Sequence, residues 1–303
     1  MTVGRIDAGK VELRALGGSN AGEPLDRAAM TAHRAARSAD AWRRCWTLRS
    51  DLPPLVYRGA ALLSFLFLLA LWSWAAARSA NVYLPGPARV WETSVELLSQ
   101  TTIWSDLKVS FFRVTGGFLV ASALAVPLGL WIGSFKLFEA FVQPLTEFVR
   151  YVPVPALIPI LMLLFGLGEL SKMMLIFAGT FFQLVLMIGD AVRRVPYELL
   201  QVSYTLGARR SEAIRLVLWR GSMPEVFDAL RLCNGWAWTY LVVAELIAAD
   251  AGLGYRVLKF YRFVQTPKIF VYLILLGLIG LLLDLAFRRM NARLFHWADT
   301  TKR

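Results

Sequence analysis

The chain has 303 residues, 57% of them hydrophobic, two cysteines and a formal net charge of +12. Soluble domains hold about 45–50% apolar residues, so this composition excludes an ordinary water-soluble globular protein and predicts an integral membrane one. The positive charge would suggest nucleic acid in a soluble protein, but here the arginines flank apolar runs, as cytoplasmic loops require, and no nucleic-acid partner is expected.

Residues 1–56 contain no apolar run, so no cleavable signal peptide is expected and the segment reads as a cytoplasmic tail. Its Gly-, Ala- and charge-rich beginning predicts disorder. Over 28–48, Trp42, Trp46 and several arginines suit either an interfacial amphipathic helix or a solvated basic tail. A membrane domain is predicted over 57–290, with spans near 59–77, 114–133, 157–168, 173–188, 236–249 and 269–287, about six in all.

The first span is followed by a rigid turn, Leu84-Pro85-Gly86-Pro87, and a short amphipathic helix carrying Val90, Trp91, Val95, Leu97 and Leu98. Gly116, Gly117 and Gly129 in the second span invite close helix packing. The third is short and crowded by Pro153, Pro155 and Pro159, so a re-entrant segment is the alternative to a full crossing. Met162, Met173, Met174 and Met187 read as packing residues. Arginines before the first span, and Arg288, Arg289 and Arg293 after the last, place both termini, including a tail over 291–303, in the cytoplasm. Arg256, Lys259, Arg262 and Lys268 run against this rule, because they would face outside. Cys45 and Cys233 fall near the cytoplasmic face, where no disulfide is expected. Neither they nor His33 and His296 have a metal-ligand spacing, so no metal and no cofactor are expected.

The segment between the fourth and fifth spans is polar and basic, hence cytoplasmic. Pro196 and Glu198 suit a helix start, and Gly207 suits the left-handed residue that ends that helix after Leu206. Ser211 is expected to cap a second helix, with Glu212 in its first turn and Ile214, Val217 and Leu218 on one face. Gly221 and Pro224 are expected to end it. Such a helix pair suits either insertion into a partner's groove or packing on its own bundle.

In the fifth span, Asn234, Trp238, Leu241 and Glu245 fall on one helical stripe. With Tyr240, they are candidates for a translocation pathway or subunit interface. Glu245 costs about 2.5–3.5 kcal/mol near mid-span and reads first as a packing group bonded to a neighbouring helix. Asp190 and Asp284 lie near span ends; Glu169 and Lys172 are expected at the external rim.

Several segments together resemble the membrane subunits of bacterial ATP-binding-cassette importers, in the subgroup serving sulfonates, taurine and nitrate. They are Leu84-Pro85-Gly86-Pro87, Tyr151-Val152-Pro153-Val154-Pro155, Phe165-Gly166-Leu167-Gly168-Glu169, Leu206-Gly207-Ala208, Ala244-Glu245-Leu246 and Gly252-Leu253-Gly254-Tyr255. The order of these segments carries the likeness. The subgroup's Glu-Ala-Ala falls on Gln201, Val202 and Ser203, and its Leu-Pro on Trp219 and Arg220, so both are departures.

The resemblance implies an all-α integral membrane fold of the type I importer permease kind, with a cytoplasmic coupling-helix loop in an inner membrane. It implies that Gln201, Ser203, Leu206, Gly207, Ala208, Arg209, Arg210, Glu212 and Ile214 couple to an ATPase subunit present in two copies. A second permease subunit, as a homodimer, and an extracytoplasmic substrate-binding protein are the other implied partners. The implied cargo is a small anion of the sulfonate, taurine or nitrate type, with a neutral vitamin precursor as the alternative. Nothing in the chain can hydrolyse ATP, because no G-x-x-x-x-G-K-[ST] loop occurs. The competing classes are an ion-coupled carrier, for which inverted repeats of broken helices would be expected, and a membrane-embedded enzyme, for which no clustered nucleophile or acid is seen.

Overall fold

The computed structural model describes residues 54–79 and 83–298, which are helical with no strand among them. The expected interfacial helix over 28–48 and Cys45 lie outside the described residues, as do 299–303 of the expected C-terminal tail.

The chain divides into two units after Leu71. Helix α1 (Pro54–Arg78) runs from the first into the second and carries no charge between Arg58 and Arg78. Its Leu62, Leu63, Phe65 and Phe67 are exposed, as side chains facing lipid must be.

The second unit begins with the end of α1, where the Trp72 indole donates to the Pro85 carbonyl at 3.0 Å and its ring stacks on Phe270 at 5.6 Å. That contact pins the proline turn ahead of α2 (Pro87–Leu98), which buries Val90 and Leu97 and exposes Trp91 and Val95. There follow α3 (Thr101–Ser134), α4 (Lys136–Arg150), a 3-10 turn (Val154–Leu157), α5 (Ile158–Phe165), α6 (Glu169–Arg193), α7 (Tyr197–Thr205), α8 (Arg210–Glu212), α9 (Arg220–Ala248), α10 (Leu253–Arg262) and α11 (Thr266–Leu294).

The most extensive pairing joins α3 and α6, with α9 packed on the other flank of α6. Glycine makes the first contact possible. A Cβ on Gly117 would lie 2.7 Å from the Met173 carbonyl, on Gly129 2.7 Å from the Ile188 side chain, and on Gly133 2.5 Å from that of Val192. Between lipid-solvated helices no hydrophobic effect drives association, so backbone proximity and van der Waals contact do. Gly129→Val is therefore expected to separate α3 from α6 and cost at least about 1–3 kcal/mol, the usual range for overpacking. A lowered thermal midpoint of the purified protein in detergent checks this, with Gly59→Val, whose site is open, as the control.

The count of six spans is not confirmed: the described residues hold four candidate spans (α1, α3, α6 and α11), or five if α4 with the 3-10 turn and α5, a pair bent by 92°, is one. The expected span over 157–168 is reduced to the eight residues of α5, about 12 Å at 1.5 Å per residue, because Pro153 and Pro155 break the helix before it and Gly166, at φ +76°, ends it. The expected fifth span lies within α9, which is long enough but carries Arg220, Glu225, Asp228, Arg231 and Glu245.

A correction concerns the helix expected to stop at Gly221 and Pro224. Helical backbone continues from Arg210 through a π-helical stretch (Ala213–Trp219) into α9 and on to Ala248, with Pro224 inside it. Proline removes one donor from the ladder, and the wider π turns just before it readjust the register. Gly221 serves contact instead, since a Cβ there would sit 3.2 Å from the Val195 side chain.

Candidate functional site

Two features stand out beyond the packing itself: a protruding polar hairpin around α7, and a set of charged groups inside the bundle.

The hairpin owes its form to local chemistry. Pro196 is the N-cap residue of α7, and Glu198 lies in the first turn, where a carboxylate complements the helix dipole. At the other end Gly207 adopts φ +84°. Its N–H donates to Tyr204 O at 2.9 Å and the Ala208 N–H to Ser203 O at 3.0 Å, the paired bonds of a Schellman termination. The chain then turns into α8, where Glu212 Oε2 accepts the Arg209 N–H at 2.7 Å. Arg209, not the expected Ser211, is thus the N-cap residue. The backbone supplies the geometry, and the carboxylate three residues on satisfies the free donor.

The hairpin is anchored on one side and open on the other. Leu200 and Ile214 pack against the core, and Ser203 and Ala208 are half-buried. Gln201, Gly207, Arg209, Arg210 and Glu212 are exposed. So are Tyr197, Leu199, Val202 and, at 82%, Leu206. Of the nine residues singled out in this segment, Ile214 therefore points inward as an anchor, and most of the others face outward. Sequence reasoning missed the apolar members Tyr197, Leu199 and Val202, although the i, i+3, i+7 spacing of Leu199, Val202 and Leu206 was a signal for the latter two of them.

The candidates in the fifth span separate. Trp238 and Leu241 are buried, and Asn234 and Tyr240 half-buried. The Trp238 ring lies 6.4 Å from Phe111. Tyr240 lies over Gly179, where an added Cβ would fall 2.5 Å from its ring, and it lines a cavity of about 190 Å³ together with Trp236, Phe182, Gln183 and Arg150.

Glu245 is fully buried and ties three elements together. It accepts from Ser110 Oγ at 2.8 Å, Arg113 Nη1 at 2.7 Å and the Gly254 N–H at 2.8 Å. Arg113 extends the network with a two-pronged pair to Glu169, at 2.5 and 2.6 Å, and a bond to the Ala251 carbonyl at 2.6 Å. Lys172 joins Glu169 at 3.0 Å. Alongside, Asp106 accepts the Gly252 N–H at 3.1 Å and Arg256 Nε at 2.6 Å, and Ser110 Oγ accepts the Leu253 N–H at 2.9 Å. The loop Gly252-Leu253-Gly254 is thus gripped by three side chains of α3 and α9. Gly252, at φ +116°, has no room for a Cβ, which would lie 2.3 Å from Glu245 Oε1.

Buried charges persist only when paired and hydrogen-bonded, and this cluster meets that condition. Asp106, Ser110 and Arg113 were not recognised as site residues in the sequence. Their signal was the spacing of polar groups along one face at the start of α3. Arg256, which counted against the topology, is taken up by Asp106, and Lys172 is buried at 4% exposure rather than solvated at a rim.

Comparisons with known proteins bear on the chain as a whole. Residues 125–296 match the family model described as "Binding-protein-dependent transport system inner membrane component". The chain is 34% identical over 241 residues to a "Probable ABC transporter permease protein" of Brucella abortus, covering 80% of this chain and 96% of that one. It is 30% identical over 238 residues to the taurine transport system permease protein of Escherichia coli, covering 76% and 86%. Among solved structures it is similar to a chain of the MetNI methionine ABC transporter in an inward-facing conformation, with a TM-score of 0.53 at 20% identity over 63% of this chain and 94% of that one.

Proposed function

This chain belongs to the family of inner membrane components of binding-protein-dependent transport systems, and on that premise we propose that its α7 hairpin is the lever through which a separate ATPase drives solute import. The observation that carries this is the exposed apolar face of a short helix, capped at both ends and anchored through Leu200 and Ile214. A short rigid helix with a free apolar face fits a hydrophobic groove on a partner. Two ATPase copies, a second permease subunit of the same kind and an external binding protein complete the assembly. ATP closes the ATPase pair, the two hairpins approach, and the helices behind them expose the pathway to alternate sides.

The cargo is a small anion of the sulfonate, taurine or nitrate type. Glu245 does not hold it, because that carboxylate is already saturated by Ser110, Arg113 and Gly254; it fixes packing at the end of the pathway.

Both termini and the hairpin lie on the cytoplasmic side. The test is chemical labelling of Arg209→Cys, a fully capped and exposed position, in a background freed of its other cysteines. A membrane-impermeant maleimide should react in inside-out vesicles and not in intact spheroplasts; the reverse pattern rejects the lever, since no cytosolic ATPase could reach it.

A further inference from the structure

The buried and half-buried arginines of the helical unit are matched to acids. Arg113 meets Glu169 and Glu245, Arg193 meets Asp190 and Glu139, Arg231 meets Asp228 and Asp284, and Arg256 meets Asp106. Arg150 is exposed and, like several other exposed arginines, meets no carboxylate among the described residues. Its side-chain partners are the ring and hydroxyl of the adjacent Tyr151, the latter at 3.2 Å.

Its position makes this informative. Arg150 closes α4 at the 92° bend and lines the cavity of about 190 Å³ with Ala178, Gly179, Phe182 and Gln183. Those residues lie near the centre of α6, which runs from Glu169 to Arg193. A charge at the mid-depth of a spanning helix is costly unless it faces water or an opposite charge. The cavity is lined by Gln183, Tyr240, Trp236 and Phe182 among others, and by no acid. Its volume equals that of about six liquid waters, room for a solute of a few heavy atoms.

We propose that Arg150 is the anion-binding group of the translocation pathway, with its planar guanidinium paired to the sulfonate or other oxyanion of the passing solute. The Gln183 amide donates beside it, and Trp236 and Phe182 enclose the uncharged remainder. Guanidinium suits this task because its fork of N–H donors matches the spacing of oxyanion oxygens. The absence of an acid leaves the charge free for the cargo, and the cation's single tie to a tyrosine lets the anion leave again. The proposal deepens the reading of the chain as an importer subunit for small anions and rests on it for the solute's identity.

The experiment reads the cavity without the ATPase or the binding protein, so it fails or succeeds independently of the coupling lever. Ala178→Cys is introduced into a chain lacking other cysteines. In membrane vesicles its rate of modification is compared for a methanethiosulfonate reagent bearing a sulfonate and for one bearing a quaternary ammonium. The anionic reagent should be favoured about tenfold or more, as expected for a positive charge focused by low-dielectric walls. Arg150→Gln should abolish the preference and Arg150→Lys should retain most of it. Methanesulfonate should slow the reaction with the native Arg150 and leave it unchanged with Arg150→Gln. A preference that survives Arg150→Gln, or a rate that methanesulfonate does not slow, overturns the proposal.

Discussion

Replacing Leu206 by Asp is expected to detach the ATPase from the permease while leaving the permease folded. Leu206 is 82% exposed, at the tip of the hairpin, so its own chain loses almost nothing. A leucine buried in a partner's groove contributes about 1.5–3 kcal/mol, and a carboxylate forced into the same place adds a desolvation cost. At about 1.4 kcal/mol per factor of ten, the affinity should fall by about tenfold to a hundredfold or more. Co-purification of the ATPase and solute-stimulated ATP hydrolysis report it, with an unchanged thermal midpoint of the isolated permease as the check on folding. Val202→Asp on the same face should behave alike. Gly207→Val should also impair coupling, by straining the φ +84° termination that a β-branched residue adopts only at about 1–2 kcal/mol or more. Full ATPase association by the Leu206→Asp variant removes the hairpin from the coupling mechanism.

The second large effect is expected at Glu245, and there it is on stability. Glu245→Ala removes a fully buried carboxylate and leaves Arg113 with Glu169 as its one carboxylate partner and the Gly254 N–H without its acceptor. Breaking one partner of a buried pair typically costs about 3–5 kcal/mol. Glu245→Gln keeps an acceptor for Ser110 or Gly254 and should cost less. Gly252→Ala should approach the severity of Glu245→Ala, because its Cβ would collide with the Glu245 carboxylate. Thermal midpoints of the three variants in detergent order these expectations. If Glu245→Ala keeps the native midpoint but loses transport, Glu245 belongs to the solute's route, not to the clamp on the 252–254 loop.

These two sites differ in how plainly the sequence announces them. The hairpin is written locally: Pro196, Glu198, Gly207 and Glu212 each act within four residues of their own position, so a reader of the chain finds both ends of α7. The inward turn of Ile214 and the passage of the helix through Pro224 were not legible, because both depend on how the π-helical stretch packs beneath the hairpin. Glu245 was conspicuous as an acid in an apolar run, yet its partners Ser110 and Arg113 lie more than a hundred residues away in the chain. No periodicity in one helix reports on a contact with another.

By itself the sequence determined the membrane character, the helical class, the glycines of α3 that permit close helix packing and the capped hairpin, since hydropathy, small-residue spacing and turn chemistry act over short stretches of chain. Only the tertiary structure decided that α4 and α5 meet at a sharp bend rather than cross as one rod, that Lys172 and Arg256 are taken up by acids, and that Arg150 is left without one. Pairing of charges is a property of three-dimensional proximity in a low dielectric, where each ion must find its counterpart from whichever helix lies beside it.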